Sequence, residues 1–190
     1  MRAFLAIDVT NPQVVKSLVE FQREILACGA DVKLVEPENL HFTIKFLGEI
    51  SEQQSKVVIE RIFNLKFRPI RVRYEGVGAF PSLSRMNVVW VGLDRDGGDE
   101  MGRVAEAVIE RIRDLSLGDA RPFTPHLTVA RIRSGRNKDR LLQLLHETQD
   151  KVFGEDLLSA LKLKRSQLTP RGPIYSDVYT LNFVDDVNGL

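Results

Sequence analysis

The sequence predicts an α+β protein built from two similar lobes around a central cleft. Strand-like and helix-like segments alternate along the chain, and the second half repeats the order of the first. A motif of histidine, an apolar residue, threonine and a second apolar residue occurs once in each half, as HFTI (41–44) and HLTV (126–129). Because short loops typical of hairpins join several strand-like segments, we expect mostly antiparallel sheets, with helices on their outer faces.

The size and composition fit one globular domain. The chain has 190 residues, of which 43% are hydrophobic and 28% charged, and its formal net charge is +1. No apolar run approaches the roughly 18 residues that span a membrane, and Asp8 interrupts the first apolar stretch, so we expect no membrane segment and no signal peptide. The single cysteine, Cys28, excludes an internal disulfide. We expect a cytoplasmic monomer.

The first half begins with an apolar strand and an amphipathic helix. A capping residue, Thr10 or Asn11, and a proline in the first turn indicate where this helix begins. Apolar residues at helical spacing give the two helices of this half apolar faces that include Leu26 and Phe63. We predict, in order, a strand over Ala3–Val9, a helix from Pro12, a strand over Leu40–Leu47, a helix from Ser51 and a strand over Ile70–Val77.

The same order of segments restarts near residue 87. Shifting the chain by 85 residues places Pro37 on Pro122 and His41 on His126. We therefore divide one domain, residues 1–190, into lobes of about residues 1–86 and 87–190, which leaves open an exchange of strands between them. The predicted elements are a strand over Asn87–Leu93 after the loop 78–86, a helix over Asp99–Leu117, a strand over Pro125–Ile132, a helix over Lys138–Glu147 and two strands within residues 160–184.

Each motif predicts a strand that presents a histidine and a threonine side by side. Side chains of a strand alternate between its faces, so His41, Thr43 and Lys45 share one face while the apolar residues between them pack on the other. By the same rule His126 and Thr128 share a face in the second half. With the lobes paired about a pseudo-twofold axis, two imidazoles and two hydroxyls face each other across the cleft.

That arrangement suits phosphoester chemistry without a metal. The imidazole pKa is ordinarily about 6.5, so near neutral pH one histidine can accept a proton from the nucleophile while the other donates one to the departing oxygen. Threonine hydroxyls and cationic side chains can hold the non-bridging phosphate oxygens. No motif typical of a metal site, a Ser-His-Asp triad or a glycine-rich nucleotide loop accompanies either histidine.

Simpler interpretations stay open beside this one. A histidine in a strand is often structural, and threonine is common in strands because β-branched residues suit them. Repetition of the motif is what favours catalysis. His146 lies on a predicted helix without a threonine partner, so we interpret it as structural or solvent-facing. Basic residues concentrate in segments 64–74, 121–140 and 161–171, which fits either a solvated surface or the surroundings of a phosphate-binding cleft.

Five segments together resemble the 2H phosphoesterases, and within them the RNA 2′,3′-cyclic phosphodiesterases, also described as 2′-5′ RNA ligases. They carry both motifs with their flanks and span nearly the whole chain: MRAFLAID, NLHFTIKFLGEI, FPSLSRMNVVWVGL, FTPHLTVARIR and SQLTPRGPIYSDVYTL. The resemblance implies a bilobal, pseudo-twofold fold and hydrolysis of RNA 2′,3′-cyclic phosphate ends to 2′-phosphomonoesters without metal or cofactor. Ligation of RNA ends through a 2′-5′ bond would use the same groups.

The resemblance also implies a role for each residue of the motifs. His126 would be the proton acceptor and His41 the proton donor, although the two motifs are too alike for the residues alone to order them. Thr43, Thr128 and Arg131 would hold the phosphate. Since simple alternation puts Arg131 on the opposite face from His126, its role requires a bulge or a strand end.

Candidate contacts to the remainder of the RNA are Lys45, Phe80 and Tyr175, because aromatic and cationic side chains suit single-stranded ends. For Tyr175, packing within its own hairpin is an equal alternative. The implied partner is RNA with 2′,3′-cyclic phosphate ends, such as tRNA halves. Two other functions stay open: a module that binds RNA ends without turnover, and the same chemistry on a small cyclic nucleotide.

Overall fold

Two antiparallel sheets and four α-helices make up the computed structural model, which describes residues 1–185. The α+β class predicted from the sequence is therefore confirmed. The elements are β1 (Arg2–Asp8), α1 (Pro12–Ala27), β2 (Val32–Leu34), β3 (His41–Glu49), α2 (Glu52–Ile62), β4 (Ile70–Pro81), β5 (Met86–Leu93), α3 (Arg95–Ile112), β6 (Leu127–Ile132), α4 (Lys138–Glu147), β7 (Val152–Leu158), β8 (Ala160–Thr169) and β9 (Gly172–Asn182).

Each sheet draws strands from both halves of the chain. The first sheet has the order β3-β1-β8-β9, and the second has the order β2-β6-β5-β4-β7. In each sheet the strand that carries or follows the histidine lies beside the opening strand of its own half, β3 beside β1 and β6 beside β5. The next strand in each sheet, β8 or β4, comes from the other half of the chain. The sheets therefore do not divide the chain at residues 86 and 87.

The core forms where the helices pack on one face of the sheets. Helix α1 packs against β6 and β7, and α3 packs against β4 and β3. Two helix positions expected in the core are exposed instead: Leu26 is 49% exposed and Phe63 58%. Phe21 and Gln22 take the corresponding places on the inner face of α1. Periodicity alone did not find Gln22, because its buried amide is held by backbone carbonyls of other elements.

A polar anchor joins the start of α1 to β7, which the sequence did not predict as a strand. Asn11 is the N-cap, its side chain accepting from Gln13 N. The buried Asp156 of β7 accepts hydrogen bonds from the backbone of Thr10 and Asn11 and from the hydroxyl of Tyr74. Burial and the neighbouring Asp156 carboxylate raise the pKa of Tyr74, so the hydroxyl keeps its proton and donates. This anchor fixes the end of β1, where the first histidine pairs.

Several boundaries differ from those that the sequence predicts. Strand β4 runs on to Pro81, so most of the expected loop 78–86 is a continuous hairpin of β4 and β5. Helix α3 ends at Ile112 and a short 3-10 turn, Arg113–Leu115, continues it. The three-residue strand β2 gave no periodicity to detect, yet it covers the edge of β6. The lengthened hairpin brings Phe80 to the site.

Candidate active site

A β-bulge follows each histidine at the same distance. In the pairing of β3 with β1, Lys45 lies opposite Leu5 and Thr43 opposite Ala6, so Ile44 is the extra residue. In the pairing of β6 with β5, Ala130 lies opposite Val89 and Thr128 opposite Trp90, so Val129 is the extra residue. Both extra residues come three positions after a histidine. Since a bulge shifts the alternation of side chains, it changes what each strand presents to the cleft.

The bulge at Val129 turns Arg131 to the face of Thr128. Val129 and Ala130 are both fully buried, whereas Thr128 is half-buried and Arg131 exposed. Without the bulge Arg131 would follow the buried residues into the core. The structure thus contains the irregularity that the expected phosphate-binding role of this arginine would require.

The bulge at Ile44 has the opposite consequence for Lys45. Simple alternation placed Lys45 on the face of His41, but the structure pairs it with the core residue Leu5, and its Nζ donates to the Asp119 carbonyl at 2.8 Å. Phe46 takes the position equivalent to Arg131. Its ring is 44% exposed and lies 6.1 Å from that of Phe4. Phe46 could not be predicted as a site residue, because nothing in the amino-acid sequence marks the bulge.

His41 is held on both ring nitrogens. Nδ1 donates to the Asn39 carbonyl at 2.6 Å, and Nε2 lies 3.0 Å from the hydroxyl of Thr43. The ring packs against Phe4 at 5.0 Å and Tyr175 at 5.5 Å between centroids. Burial lowers the pKa of His41, while the bond to Asn39 and the charge of Asp8 act against this.

His126 has the same anchor in the other half. Its Nδ1 donates to the Thr124 carbonyl at 2.7 Å, again two residues before the histidine. Phe80 meets the ring edge-on at 4.7 Å between centroids. Burial lowers the pKa of His126, although the hydrogen bond to Thr124 acts in the opposite direction. In both histidines Nδ1 is committed to a carbonyl, so Nε2 is the atom available for proton transfer.

The two half-sites face one cleft. Strands β3 and β6 approach each other with Cα atoms within 8 Å, although they belong to different sheets. Burial lowers the pKa of His41 and raises the pKa of Tyr175. The charge of Arg131 adds to the first shift and opposes the second, so the guanidinium of the second half-site is near enough to act on both rings of the first. Tyr175 lies beside His41 and Phe80 beside His126, so the structure brings both predicted aromatic contacts to the site.

A network of four charges lies beside His41. Nζ of Lys164 is 3.0 Å from Asp8 and 2.9 Å from Asp177, and Nζ of Lys162 is 3.0 Å from Asp8 and 2.7 Å from Asp177. Asp8 is the register partner of His41 across β1 and β3. This network joins β1, β8 and β9 and was not predicted from the sequence. The alternation of side chains in β1 predicts that Phe4 and Asp8 share a face. It does not predict that the lysines of β8 lie beside them.

The third histidine, His146, takes no part in the site. It is exposed on α4, which contains neither motif. Within residues 1–185, no three His, Cys, Asp or Glu side chains come together in a group that could hold a metal ion. Over the same residues, no helix is long and apolar enough to cross a membrane.

Known proteins share both the sequence and the fold. Residues 7–90 match the family model described as LigT like Phosphoesterase. An RNA 2′,3′-cyclic phosphodiesterase of Archaeoglobus fulgidus is 37% identical over 178 residues, covering 94% of this chain and 98% of the relative. A protein of the same name from Methanocaldococcus jannaschii is 35% identical, covering 92% and 96%.

Solved structures agree with these matches. The protein TT0787 of Thermus thermophilus superposes with a TM-score of 0.79 at 28% identity, covering 96% of this chain and 98% of the other. Escherichia coli LigT complexed with 3′-AMP gives 0.78 at 19% identity, covering 96% and 97%, and shows a shared fold. Since relatives above 30% identity align over almost their whole length, the chain belongs to the LigT-like phosphoesterase family of enzymes.

Proposed function

We propose that this protein hydrolyses the 2′,3′-cyclic phosphate end of RNA to a 2′-phosphomonoester by two-histidine acid/base catalysis. The observation that carries the proposal is the matched pair of imidazoles, each with Nδ1 bonded to the carbonyl two residues earlier, so that Nε2 is the nitrogen the backbone does not hold. In His41 this Nε2 meets the hydroxyl of Thr43. The relatives named RNA 2′,3′-cyclic phosphodiesterase support the choice of substrate. Both half-sites come from one chain, so a monomer suffices.

In the proposed reaction a water oxygen attacks phosphorus and the bond from phosphorus to the ribose 3′ oxygen breaks. His126 Nε2 accepts the proton of the attacking water, and protonated His41 Nε2 gives its proton to the departing 3′ oxygen. The product keeps the phosphate on the 2′ oxygen. One proton has been taken up and one released, so exchange with solvent restores the starting state.

The surroundings of the two rings differ in one carboxylate. Burial lowers the pKa of both histidines, and for His41 the charges of Lys164 and Arg131 act in the same direction. The charge of Asp8 acts on His41 alone and favours the protonated form that an acid requires. The order of acid and base is the one that the family resemblance implies, and the position of Asp8 is the structural difference that fits it.

Arg131 and the two threonines would hold the non-bridging oxygens, where charge concentrates in the transition state. The hydroxyl of Thr43 lies 3.0 Å from His41 Nε2, so it can link the imidazole to a phosphate oxygen. The exposed ring of Phe46 and that of Tyr175 offer stacking faces for the terminal base. The scheme routes no step through a metal ion.

The test compares His41→Ala and His126→Ala with His146→Ala, which changes an exposed histidine outside the motifs. With 2′,3′-cyclic AMP as substrate, each motif variant should lose roughly 10²- to 10⁴-fold in kcat while remaining folded by circular dichroism. The control should keep full activity. ³¹P NMR of the product should show 2′-AMP, and added chelator should change nothing.

Other outcomes point to other functions. Full activity in either motif variant would overturn the two-histidine mechanism. Salt-dependent RNA binding without turnover at any pH would favour an RNA-end-binding module. A 2′-5′-linked product formed with an RNA 5′ hydroxyl would show that a hydroxyl can replace water as the nucleophile in the same site.

A further inference from the structure

A row of basic side chains extends outward from the candidate site on the side of Arg131. Lys33 of β2 is the register partner of Arg131 in β6, and side chains of directly opposed residues stand on the same face of a sheet. Arg133 follows the last residue of β6, and its N–H donates to the Asp31 carbonyl at 2.8 Å, which continues the pairing with β2. Alternation therefore puts Arg133 on this face as well, opposite Asp31. We call Lys33, Arg133 and Arg171 the basic rim.

The turn between β8 and β9 completes the basic rim. Nζ of Lys33 lies 3.5 Å from the Arg171 carbonyl, and the neighbouring backbone is close enough that a Cβ on Gly172 would lie 3.1 Å from the same Nζ. Asn39, two residues before His41, also reaches this turn through the Pro173 carbonyl at 3.4 Å. The basic rim therefore touches elements of both sheets and the segment of the chain that leads to His41.

The charge of the rim is not neutralised by the protein. Within residues 1–185, Lys33, Arg133 and Arg171 have no carboxylate oxygen within 4.0 Å. The lysines on the other side of His41 differ, because Lys162 and Lys164 are both paired with Asp8 and Asp177. Positive charge without an ion-pair partner therefore continues from Arg131 to Lys33 and the turn that carries Arg171, while Asp31 is the acidic residue opposite Arg133.

This charge exceeds what a cyclic mononucleotide needs. Such a ligand carries one phosphate, which Arg131 and the two threonines would already hold. Neighbouring strands are about 4.8 Å apart, so the rim continues from Arg131 at a spacing that can accompany a polynucleotide backbone. Proteins that bind single-stranded nucleic acid without recognising its bases hold the backbone in positively charged grooves of this kind.

Resting on the proposed function, we propose that the basic rim binds the phosphodiester backbone of the RNA strand that precedes the cyclic end. The preferred substrate is then an oligonucleotide, and the strand leaves the cleft across β2 and the turn between β8 and β9. The terminal base stays on the side of Phe46 and Tyr175.

The experiment uses the variant Lys33→Gln/Arg171→Gln and two substrates with the same reactive end. One is 2′,3′-cyclic AMP, and the other is a pentaadenylate that ends in a 2′,3′-cyclic phosphate. We expect kcat/KM for the pentanucleotide to fall about tenfold at low salt, while the value for cyclic AMP stays unchanged. Each lost phosphate contact should reduce the slope of log affinity against log salt by about 0.7.

The matched control is Lys16→Gln/Arg23→Gln, which removes the same charge from the exposed side of α1. This helix packs on the face of the second sheet opposite to Thr128 and Arg131. An equal loss in the control would show that the effect depends only on the net charge of the protein, and it would overturn the proposal. So would an unchanged pentanucleotide rate in the rim variant, or an equal loss on both substrates.

The two proposals fail in different ways. A rim variant that treats both substrates like the wild type contradicts the rim and leaves the hydrolytic function intact. A wild type that hydrolyses neither substrate contradicts the function. In that case, fluorescence anisotropy with a labelled pentaadenylate bearing a 2′-phosphate still measures the rim, and equal affinity of the wild type and the rim variant would overturn it.

Discussion

At the scale of single residues, the two histidines make the same hydrogen bond to the backbone but have different electrostatic surroundings. Both donate from Nδ1 to a carbonyl two positions earlier, which fixes the ring and leaves Nε2 as the nitrogen not bonded to the backbone. Asp8 faces only His41 across the β1–β3 ladder. The sequence could predict the histidines from the repeated motif, but the carboxylate that distinguishes them comes from another strand.

The rate should depend on pH with an unusually acidic optimum. Burial lowers the pKa of both histidines below the ordinary value of 6.5. The curve of kcat/KM reports the free enzyme and peaks midway between the pKa values of base and acid, so the maximum should lie below pH 6.5. Bound phosphate favours the imidazolium, so kcat should peak at higher pH than kcat/KM. A kcat/KM maximum above pH 7 would contradict these pKa directions.

Asp8→Asn should move this optimum further toward acid. The Asp8 charge raises the pKa of His41, so its removal lowers that pKa again and shifts the basic limb of kcat/KM to lower pH. Lys164, which is 6% exposed, loses one of its two partners, and unfolding by urea should show a loss of about 1–3 kcal/mol.

The matched control for this change is Asp114→Asn. Asp114 pairs with Arg61 on the surface, where both side chains are about half exposed. It should cost less than about 1 kcal/mol and leave the pH profile in place. An unmoved profile in Asp8→Asn would show that this carboxylate does not act on His41.

At the scale of elements, the two bulges decide which side chains reach the cleft. The sequence predicted the strand that begins at His41 and the strand that follows His126, because apolar and polar residues alternate in them. It could not predict the extra residues Ile44 and Val129, since a bulge is a property of the pairing between strands. Simple alternation therefore predicts Lys45 in the cleft, where Phe46 lies instead. It also predicts that Arg131 can reach the cleft only through an irregularity in its strand.

The bulge in β6 should depend on Gln22. The amide of this buried residue donates to the Val35 carbonyl at 2.8 Å and to the Val129 carbonyl at 2.9 Å. Gln22→Leu keeps the size and removes the amide donor from both carbonyls, although the Val129 carbonyl keeps its bond from Val35 N at 3.0 Å. We therefore expect a loss of about 1–2 kcal/mol in unfolding free energy and a higher KM through displacement of Arg131.

A double-mutant cycle separates this effect from general destabilisation. If Gln22 acts through Arg131, the effects of Gln22→Leu and Arg131→Ala on kcat/KM should be less than additive. Gln13→Leu, on the exposed first turn of the same helix, is the matched control. Fully additive effects would show that Gln22 only stabilises the core.

A glycine in β4 keeps the aromatic wall beside His126 in place. A Cβ on Gly78 would come within 2.2 Å of the Trp90 ring, which lies opposite Thr128 and next to Phe80. Gly78→Ala should therefore displace Trp90, lower the melting temperature and reduce kcat/KM. Gly102→Ala, where a Cβ meets open space in α3, should be neutral or stabilise by up to about 1 kcal/mol. Thermal unfolding of both variants measures this, and equal melting temperatures would contradict the packing argument.

At the scale of the whole molecule, the site exists because strands from each half complete both sheets. The sequence predicted the repeated order of elements and the antiparallel class. The sheet that β4 and β8 would join depends on tertiary pairing, which periodicity does not encode. The strands β2 and β7 escaped prediction because the first has three residues and the second carries Gly154, Glu155 and Asp156 in its middle. Yet β2 supplies the first cation of the basic rim.

The proposed mechanism requires that His41 and His126 act on one phosphate. A crystal structure with bound 2′-AMP tests this most directly, because the product phosphate must occupy the reacting position. We expect one phosphate with oxygens within about 3.2 Å of Nε2 of both histidines and in contact with Arg131. A phosphate that reaches one imidazole while the other stays beyond hydrogen-bonding distance would contradict the mechanism.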